Sequence, residues 1–271
     1  MHKRFIWLVS CFSLLLLGAG CISVPALPSV SSTQTQPIAV ATSTTLTWEK
    51  ISVGFERAET TFSSTTGSII VLYRFSPKQF EAQLMHELPP KHISVWGAEA
   101  TGTELLVNGV YFHEDYLPSG FFQTSGTRIG TRQFDQDKSG LLIFNPFQII
   151  DTKIHPTKLG GAPMMAQSYP FLLKNGMLAV QNESGKVARR TFVGIDRQGM
   201  IYVGVAPYAP LSLLQLGQFL SQLPLSWNMV LNLDGGPSTG LWMHHGARSE
   251  LFDSYVPVPN ILSIRPRSIK P

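Results

Sequence analysis

Leu231-Asn232-Leu233-Asp234-Gly235-Gly236-Pro237-Ser238-Thr239-Gly240-Leu241-Trp242 is the stretch on which the reading of this chain turns. Met229 and Val230 precede it, so Met229 to Leu233 is apolar apart from Asn232, which suggests a buried strand. That strand runs straight into Asp-Gly-Gly, and hydroxyl residues follow. Glycines tolerate positive φ and carry no Cβ, so backbone N–H groups there can approach an anion closely. An acid at the strand end sits at the mouth of a cleft. The same residues also describe a tight turn capped by Asp234, and local chemistry leaves both readings open.

Two further polar, glycine-bearing or arginine-bearing regions stand out. From Glu104 to Gly120 the chain reads ELLVNGVYFHEDYLPSG, where Asn108-Gly109 interrupts an apolar strand. A glycine in that setting marks a bulge or a close backbone approach. His113, Glu114 and Asp115 follow at once, and because adjacent residues rarely point the same way, an exposed loop is favoured over a ligand set. The other region pairs Ala166-Gln167-Ser168-Tyr169-Pro170 with Ala188-Arg189-Arg190-Thr191. An arginine just before a strand can fork onto a phosphate with paired donors. Most surface arginines are merely solvated.

Around these loops lie short β-rich runs. Phe62 to Phe75, His92 to Trp96, Leu105 to Val107, Gly140 to Phe144, Phe171 to Leu173 and Leu178 to Val180 read as strands. Thr191 to Ile195 and Met200 to Val205, joined by Asp196-Arg197-Gln198-Gly199, read as a hairpin. Two segments read as helices. Ser76-Pro77-Lys78-Gln79 has the form of an N-terminal cap, with Phe80, Leu84, Met85 and Leu88 on one face before Pro89-Pro90. Ser212 with Gln215 opens the second, which places Leu213, Leu216, Phe219, Leu220 and Leu223 together. Both stripes read as core. The expectation is a single α+β, strand-rich domain over residues 48–271, with a mixed sheet and a few helices.

The first 47 residues read differently. Met-His-Lys-Arg, an apolar run from Phe5 to Leu17, then Gly18-Ala19-Gly20-Cys21 predict a signal peptide over 1–20. The run is too short for an ordinary spanning helix, which needs about 20 residues. Small residues before a cysteine resemble the lipobox of bacterial lipoproteins, with Gly18 where leucine is usual. The expectation is lipidation at Cys21 and an exported, membrane-anchored protein of the cell envelope. Residues 21–47 are rich in Ser, Thr, Pro, Gln, Val and Ala, with no charge from Ile22 to Thr47, and read as a tether. Cys11, the other cysteine, falls in the leader, so the mature domain has no internal disulfide to rely on. The formal net charge is +4, of which Lys3 and Arg4 contribute two, and no basic run appears. That balance gives no footprint for nucleic acid.

Taken in order, NGVYFHEDYLPSG (108–120), AQSYP (166–170), ARRTFVGID (188–196) and NLDGGPSTGLW (232–242) resemble the phosphodiester glycosidase family, across roughly Val95 to Ile264. That family includes the lysosomal enzyme that uncovers mannose-6-phosphate by removing N-acetylglucosamine. Two departures stand out: Val110 replaces a second glycine after Asn108-Gly109, and Pro237 replaces a third glycine after Gly236. The resemblance implies hydrolysis of a sugar-1-phosphodiester at its glycosidic bond, releasing free sugar and a phosphomonoester. It implies Asp234 as the catalytic group, stabilising positive charge on the sugar as nucleophile, base or electrostatic partner. Arg190 and the Gly235 and Gly236 amides would hold the departing phosphate. Asn108, Gly109, Gln167, Ser238 and Thr239 would line the substrate. Two other readings stand beside this one. A lipoprotein that binds phosphorylated glycans without cleaving them fits Val110 and Pro237. A divalent cation, calcium or magnesium, on Asp234, Glu114, Asp115 and His113 fits the loop acids, although no spaced zinc motif is present.

Overall fold

The computed structural model describes residues 46–63, 68–130, 133–154 and 161–268. The leader, Cys21 and nearly all of the tether lie outside the described residues.

In chain order the strands begin with β1 (Glu49–Ser52), β2 (Phe55–Ser63), β3 (Ser68–Phe75) and β4 (Phe80–Lys91). Helix α1 (Ile93–Glu99) follows, then β5 (Leu105–Asn108), β6 (Phe122–Thr124), β7 (Thr127–Arg128), β8 (Gly140–Ile143) and β9 (Gln148–Asp151). Next come β10 (Met165–Ser168), β11 (Phe171–Lys174), β12 (Met177–Leu178), β13 (Ala188–Asp196) and β14 (Ile201–Leu211). Helix α2 (Leu213–Gln222) leads into β15 (Trp227–Asn232), and β16 (Leu241–His245), β17 (Arg248–Phe252) and β18 (Val258–Pro266) close the fold.

These strands build three sheets. The largest has eight strands in the order β1-β2-β3-β14-β13-β15-β11-β12; the others are β7-β6-β10-β8-β9 and β17-β16-β5-β18-β4. Period-two alternation gives the large sheet two apolar faces. Val71, Tyr73, Val193, Val203 and Leu231 turn to a central core. They share it with Leu105, Val107 and Leu262 of the third sheet and with Phe122 and Leu142 of the second. Leu72, Phe192, Tyr202 and Val230 turn the other way, against Leu216, Phe219 and Leu220 of α2. Each such side chain, fully removed from water, stabilises the fold by roughly 1.5–3 kcal/mol before the entropy of ordering it is counted. Trp48, at the start of the described chain, packs its ring edge-on to Tyr202 under the Arg74 guanidinium.

The hairpin from Thr191 to Val205 forms as β13 and β14, with Gly199 at φ 82° in its turn. Helix α2 starts with the capping box: the Gln215 amide donates to Ser212 Oγ at 3.1 Å, and the Ser212 amide to Gln215 Oε1 at 2.9 Å.

Three expectations are corrected. The sheet is not mixed, because every strand pairing among the described residues is antiparallel. Phe80 to Leu88 is not a helix but most of β4, which pairs with β18 from Phe80↔Pro266 to Lys91↔Val258. Phe80, Ala82 and Leu84 are buried, a two-residue alternation that coexists with the helical spacing of Phe80 and Leu84. The long partner strand decides between them. Conversely, His92 to Trp96 is not a strand: Ile93 opens α1, whose first turn is tied from outside. Asp253 Oδ1 accepts from the Ser94 amide at 3.0 Å, and Ser254 Oγ from the Ile93 amide at 3.3 Å.

Candidate active site

The Asp-Gly-Gly turn leaves β15 where the large sheet meets the third. The Leu233 amide donates to the Thr191 carbonyl at 2.9 Å, which continues the β15–β13 ladder. One residue on, the Asp234 amide donates instead to the Gly109 carbonyl at 3.1 Å, at the end of β5. The chain thus crosses between sheets at Asp234. Asn108 locks that crossing. Its Nδ2 donates to the Asp234 carbonyl at 2.7 Å, while its Oδ1 accepts from Thr191 Oγ1 at 2.6 Å and from the Gly240 amide at 3.2 Å.

Both glycines of the turn are required by geometry. A Cβ on Gly235 would lie 2.9 Å from the Arg189 carbonyl oxygen, and Gly236 holds φ 61°. Gly109 is required too, since a Cβ there would sit 2.1 Å from Asn260 Oδ1. Asn260 brackets the next residue: its Oδ1 accepts from the Val110 amide at 2.7 Å and its Nδ2 donates to the Val110 carbonyl at 3.1 Å. Val110 therefore turns its side chain into the central core. Pro237 is exposed, and its carbonyl accepts from the Tyr255 amide at 2.7 Å.

The Asp234 carboxyl accepts from the Gly235 amide at 2.8 Å and from the Ser238 hydroxyl. Burial nevertheless holds its pKa above the usual aspartate value, because the two donors only partly offset the loss of water. Tyr111 stands beside it. Its phenol oxygen accepts from Asn232 Nδ2 at 2.6 Å, its ring packs 4.7 Å from that of Tyr169, and burial with the Asp234 charge pushes its pKa well up. The same phenol feels the positive charge of Arg190, so Asp234, Tyr111 and Arg190 share one electrostatic neighbourhood. Arg190 is buried and pinned: Nε donates to the Leu211 carbonyl and Nη2 to the Lys186 carbonyl, each at 2.8 Å. Among the described residues its Nη1 has no hydrogen-bond partner. Asn232 Oδ1 and Thr239 Oγ1 are buried with no hydrogen-bond partner. A buried polar atom left unpaired costs roughly 1–3 kcal/mol, a cost that tends to be found at functional sites.

Sequence-named residues thus divide. Asp234, Asn108, Gly109, Arg190, Gly235, Gly236, Ser238 and Thr239 are gathered around one turn. Gln167 is not available to a ligand: Oε1 accepts from the Phe121 and Asp135 amides, both at 2.9 Å, and Nε2 donates to the Asp135 and Lys138 carbonyls at 2.9 and 2.7 Å. It ties Phe121 to Asp135 and Lys138. His113, Glu114 and Asp115 lie on an exposed turn, where Asp115 Oδ1 caps the Leu117 amide at 3.0 Å. Among the described residues no group of three or more His, Cys, Asp or Glu comes together as a metal site. Tyr111, Tyr169, Asn232 and Asn260 escaped sequence reasoning. Tyr111 and Tyr169 sit inside the quoted motifs, but nothing local marks Asn260. A hollow of about 470 Å³, lined by residues such as Glu49, Arg57, Arg248 and Glu250, contains none of these side chains. It is braced by the Arg57–Glu250 ion pair at 2.6 Å.

A sequence profile of the phosphodiester glycosidase family matches residues 101–265, more than half of the chain. The chain belongs to that family. The matched span runs from just before β5 into β18 and holds every residue of the Asp234 constellation. Family membership supports a glycosidase-type activity. No curated protein matches by sequence. Among solved structures, the catalytic domain of zebrafish N-acetylglucosamine-1-phosphodiester alpha-N-acetylglucosaminidase, auto-inhibited by its pro-peptide, aligns with a TM-score of 0.61 at 14% identity. That alignment covers 81% of this chain and 86% of that one. A protein from Synechocystis aligns with a TM-score of 0.55, also at 14% identity, over 82% of this chain and 64% of that one. At such identities the likeness is one of fold.

Proposed function

We propose that this chain hydrolyses the glycosidic bond of sugar-1-phosphodiesters on envelope or extracellular glycans, from an exported position anchored through Cys21. The observation that carries the proposal is the pairing of opposite demands in one place. Asp234, a carboxyl drawn out of water with two donors, and Arg190, a pinned guanidinium with one nitrogen unpaired, act on the same Tyr111 phenol. The zebrafish enzyme that shares this fold is named for such a reaction, which supports the choice of bond.

In this reading, breaking the bond between the anomeric carbon and the phosphate oxygen sends the electron pair to the phosphate and leaves positive charge on the ring. Asp234 stabilises that charge. Arg190 Nη1 and the Gly236 amide receive the departing phosphate; the Gly235 amide serves Asp234 instead, since it donates to that carboxyl. Water delivers its hydroxyl to the anomeric carbon and its proton to solvent or to the phosphomonoester. Tyr111 and Tyr169 form the apolar wall a sugar face needs. Asn108 positions the turn, as its amide nitrogen and oxygen are both engaged within the protein.

The test is a panel of sugar-1-phosphodiesters incubated with the chain and with Asp234→Asn. Free sugar from the wild type and none from the variant is expected. Saturable binding without product would place the protein among glycan-binding lipoproteins instead.

A further inference from the structure

Arg189, one residue before the Arg190 that the proposed reaction uses, is the least satisfied charge among the described residues. Its Nη2 donates to the Asp253 carbonyl at 3.0 Å. Its Nε and Nη1 are closed off from water with no partner. The Asp253 carboxylate is already occupied: Oδ1 accepts from the Ser94 and Ser254 amides at 3.0 and 2.9 Å, and Oδ2 from Ser94 Oγ at 2.6 Å. So among the described residues no acid pairs with the guanidinium. Instead its central carbon lies 4.0 Å from the centre of the Tyr255 ring. That ring is 70% exposed, and Tyr208, whose hydroxyl also feels Arg189, is 65% exposed. Burial draws the Arg189 pKa below the usual arginine value, and the charges of Tyr255, Tyr208 and Asp253 only partly offset it.

This spot adjoins the catalytic turn. The Arg189 carbonyl is the atom that bars a Cβ on Gly235, and the Tyr255 amide holds the Pro237 carbonyl at 2.7 Å. A cation short of two hydrogen bonds, covered by one open ring and flanked by another, is what a second anionic group on the substrate requires.

We propose that Arg189, Tyr255 and Tyr208 form a subsite for an aglycone that carries its own phosphate or carboxylate, separate from the phosphodiester being cleaved. This rests on the hydrolase reading for its place in the reaction, but not for its chemistry. Tyr255 is the cover. It rotates off the guanidinium, the anion accepts from an unpaired guanidinium N–H, and the two rings flank the sugar or polyol that bears it. The preferred substrates are therefore polyanionic, such as phosphate-linked polyol or sugar chains, and not simple alkyl phosphodiesters.

The test uses Arg189→Gln and, separately, Tyr255→Ala in the full chain. Two substrates with the same sugar are compared, one with a methyl aglycone and one with a glycerol phosphate aglycone. Glycerol phosphate alone is titrated by calorimetry. The wild type should favour the doubly anionic substrate by about tenfold or more in KM, the scale of one charge-assisted contact. Both variants should lose that preference at unchanged kcat, turn over the methyl substrate as before, and bind glycerol phosphate more weakly. If Arg189→Gln does not fold, Tyr255→Ala carries the comparison, since its ring is mostly open. An undiminished preference and unchanged glycerol phosphate binding in the variants would overturn the subsite, whatever the turnover. Absence of turnover on every substrate, with glycerol phosphate binding still dependent on Arg189 and Tyr255, would overturn the hydrolase reading and leave the subsite standing.

Discussion

The side-chain amide of Asn108 holds the backbone carbonyl of Asp234 at 2.7 Å, across 126 residues of chain. The contact joins the end of β5 to the turn after β15, and two more bonds from the same side chain reach Thr191 and Gly240. Asn108→Ala removes all three and leaves their partners unpaired. A loss of roughly 2–4 kcal/mol is expected, read as a fall in the denaturant midpoint, together with loss of turnover.

Asp234→Asn should behave in the opposite way. The folded pKa of Asp234 is raised by burial, so the folded state holds this proton more tightly than the unfolded chain does. Its contribution to stability is therefore greatest below the unfolded aspartate pKa and declines as pH rises through the folded one. At neutral pH the charge is a net cost. The neutral asparagine keeps the Oδ1 acceptor for the Gly235 amide and drops that cost. Thermal melts at neutral pH should show the variant as stable as the wild type or more so, while turnover falls by orders of magnitude. Marked destabilisation would mean that the carboxylate is a structural anchor.

The pH profile of turnover follows from the same shift. If Asp234 works ionised, activity is lost on acidification through a pKa above the ordinary aspartate value. The Ser238 hydroxyl lowers that pKa. In Ser238→Ala the acid limb of kcat/KM should move to higher pH, and a limb that stays in place would detach Ser238 from the carboxyl.

The two glycines of the turn should respond unequally. Gly236→Ala meets no atom within 4 Å and suffers only the left-handed backbone, about 1–2 kcal/mol. Gly235→Ala drives a methyl group against the Arg189 carbonyl, a backbone atom that cannot step aside without moving β13. Its stability should fall by roughly 1–3 kcal/mol and its activity further than that of Gly236→Ala, compared by melting and turnover side by side.

These particulars also show what the chain reveals by itself. Helix α2 was legible because its cap is local: Ser212 and Gln215 satisfy each other within one turn. The β13–β14 hairpin was legible through Gly199. The β4 strand was not, because Phe80, Leu84 and Met85 suit a helix and only the distant β18 settles their conformation. The Asp234-Gly235-Gly236 turn was legible, but its supports were not. A sequence does not show that Gln167 will spend all four of its hydrogen bonds on Phe121, Asp135 and Lys138, or that Asn260 will bracket Val110. Nor does it show that Arg189 will be left without an acid although Asp253 lies beside it, because Ser94 and Ser254 claim that carboxylate.

The heart of the mechanism is which bond breaks, and isotopically heavy water reads it directly. A sugar-1-phosphodiester turned over in such water should yield a phosphomonoester with no heavy oxygen, because water attacks the anomeric carbon and the sugar alone acquires the label. Heavy oxygen in the phosphomonoester would mean attack at phosphorus, and would contradict the assignment of Asp234 to the sugar and Arg190 to the leaving phosphate.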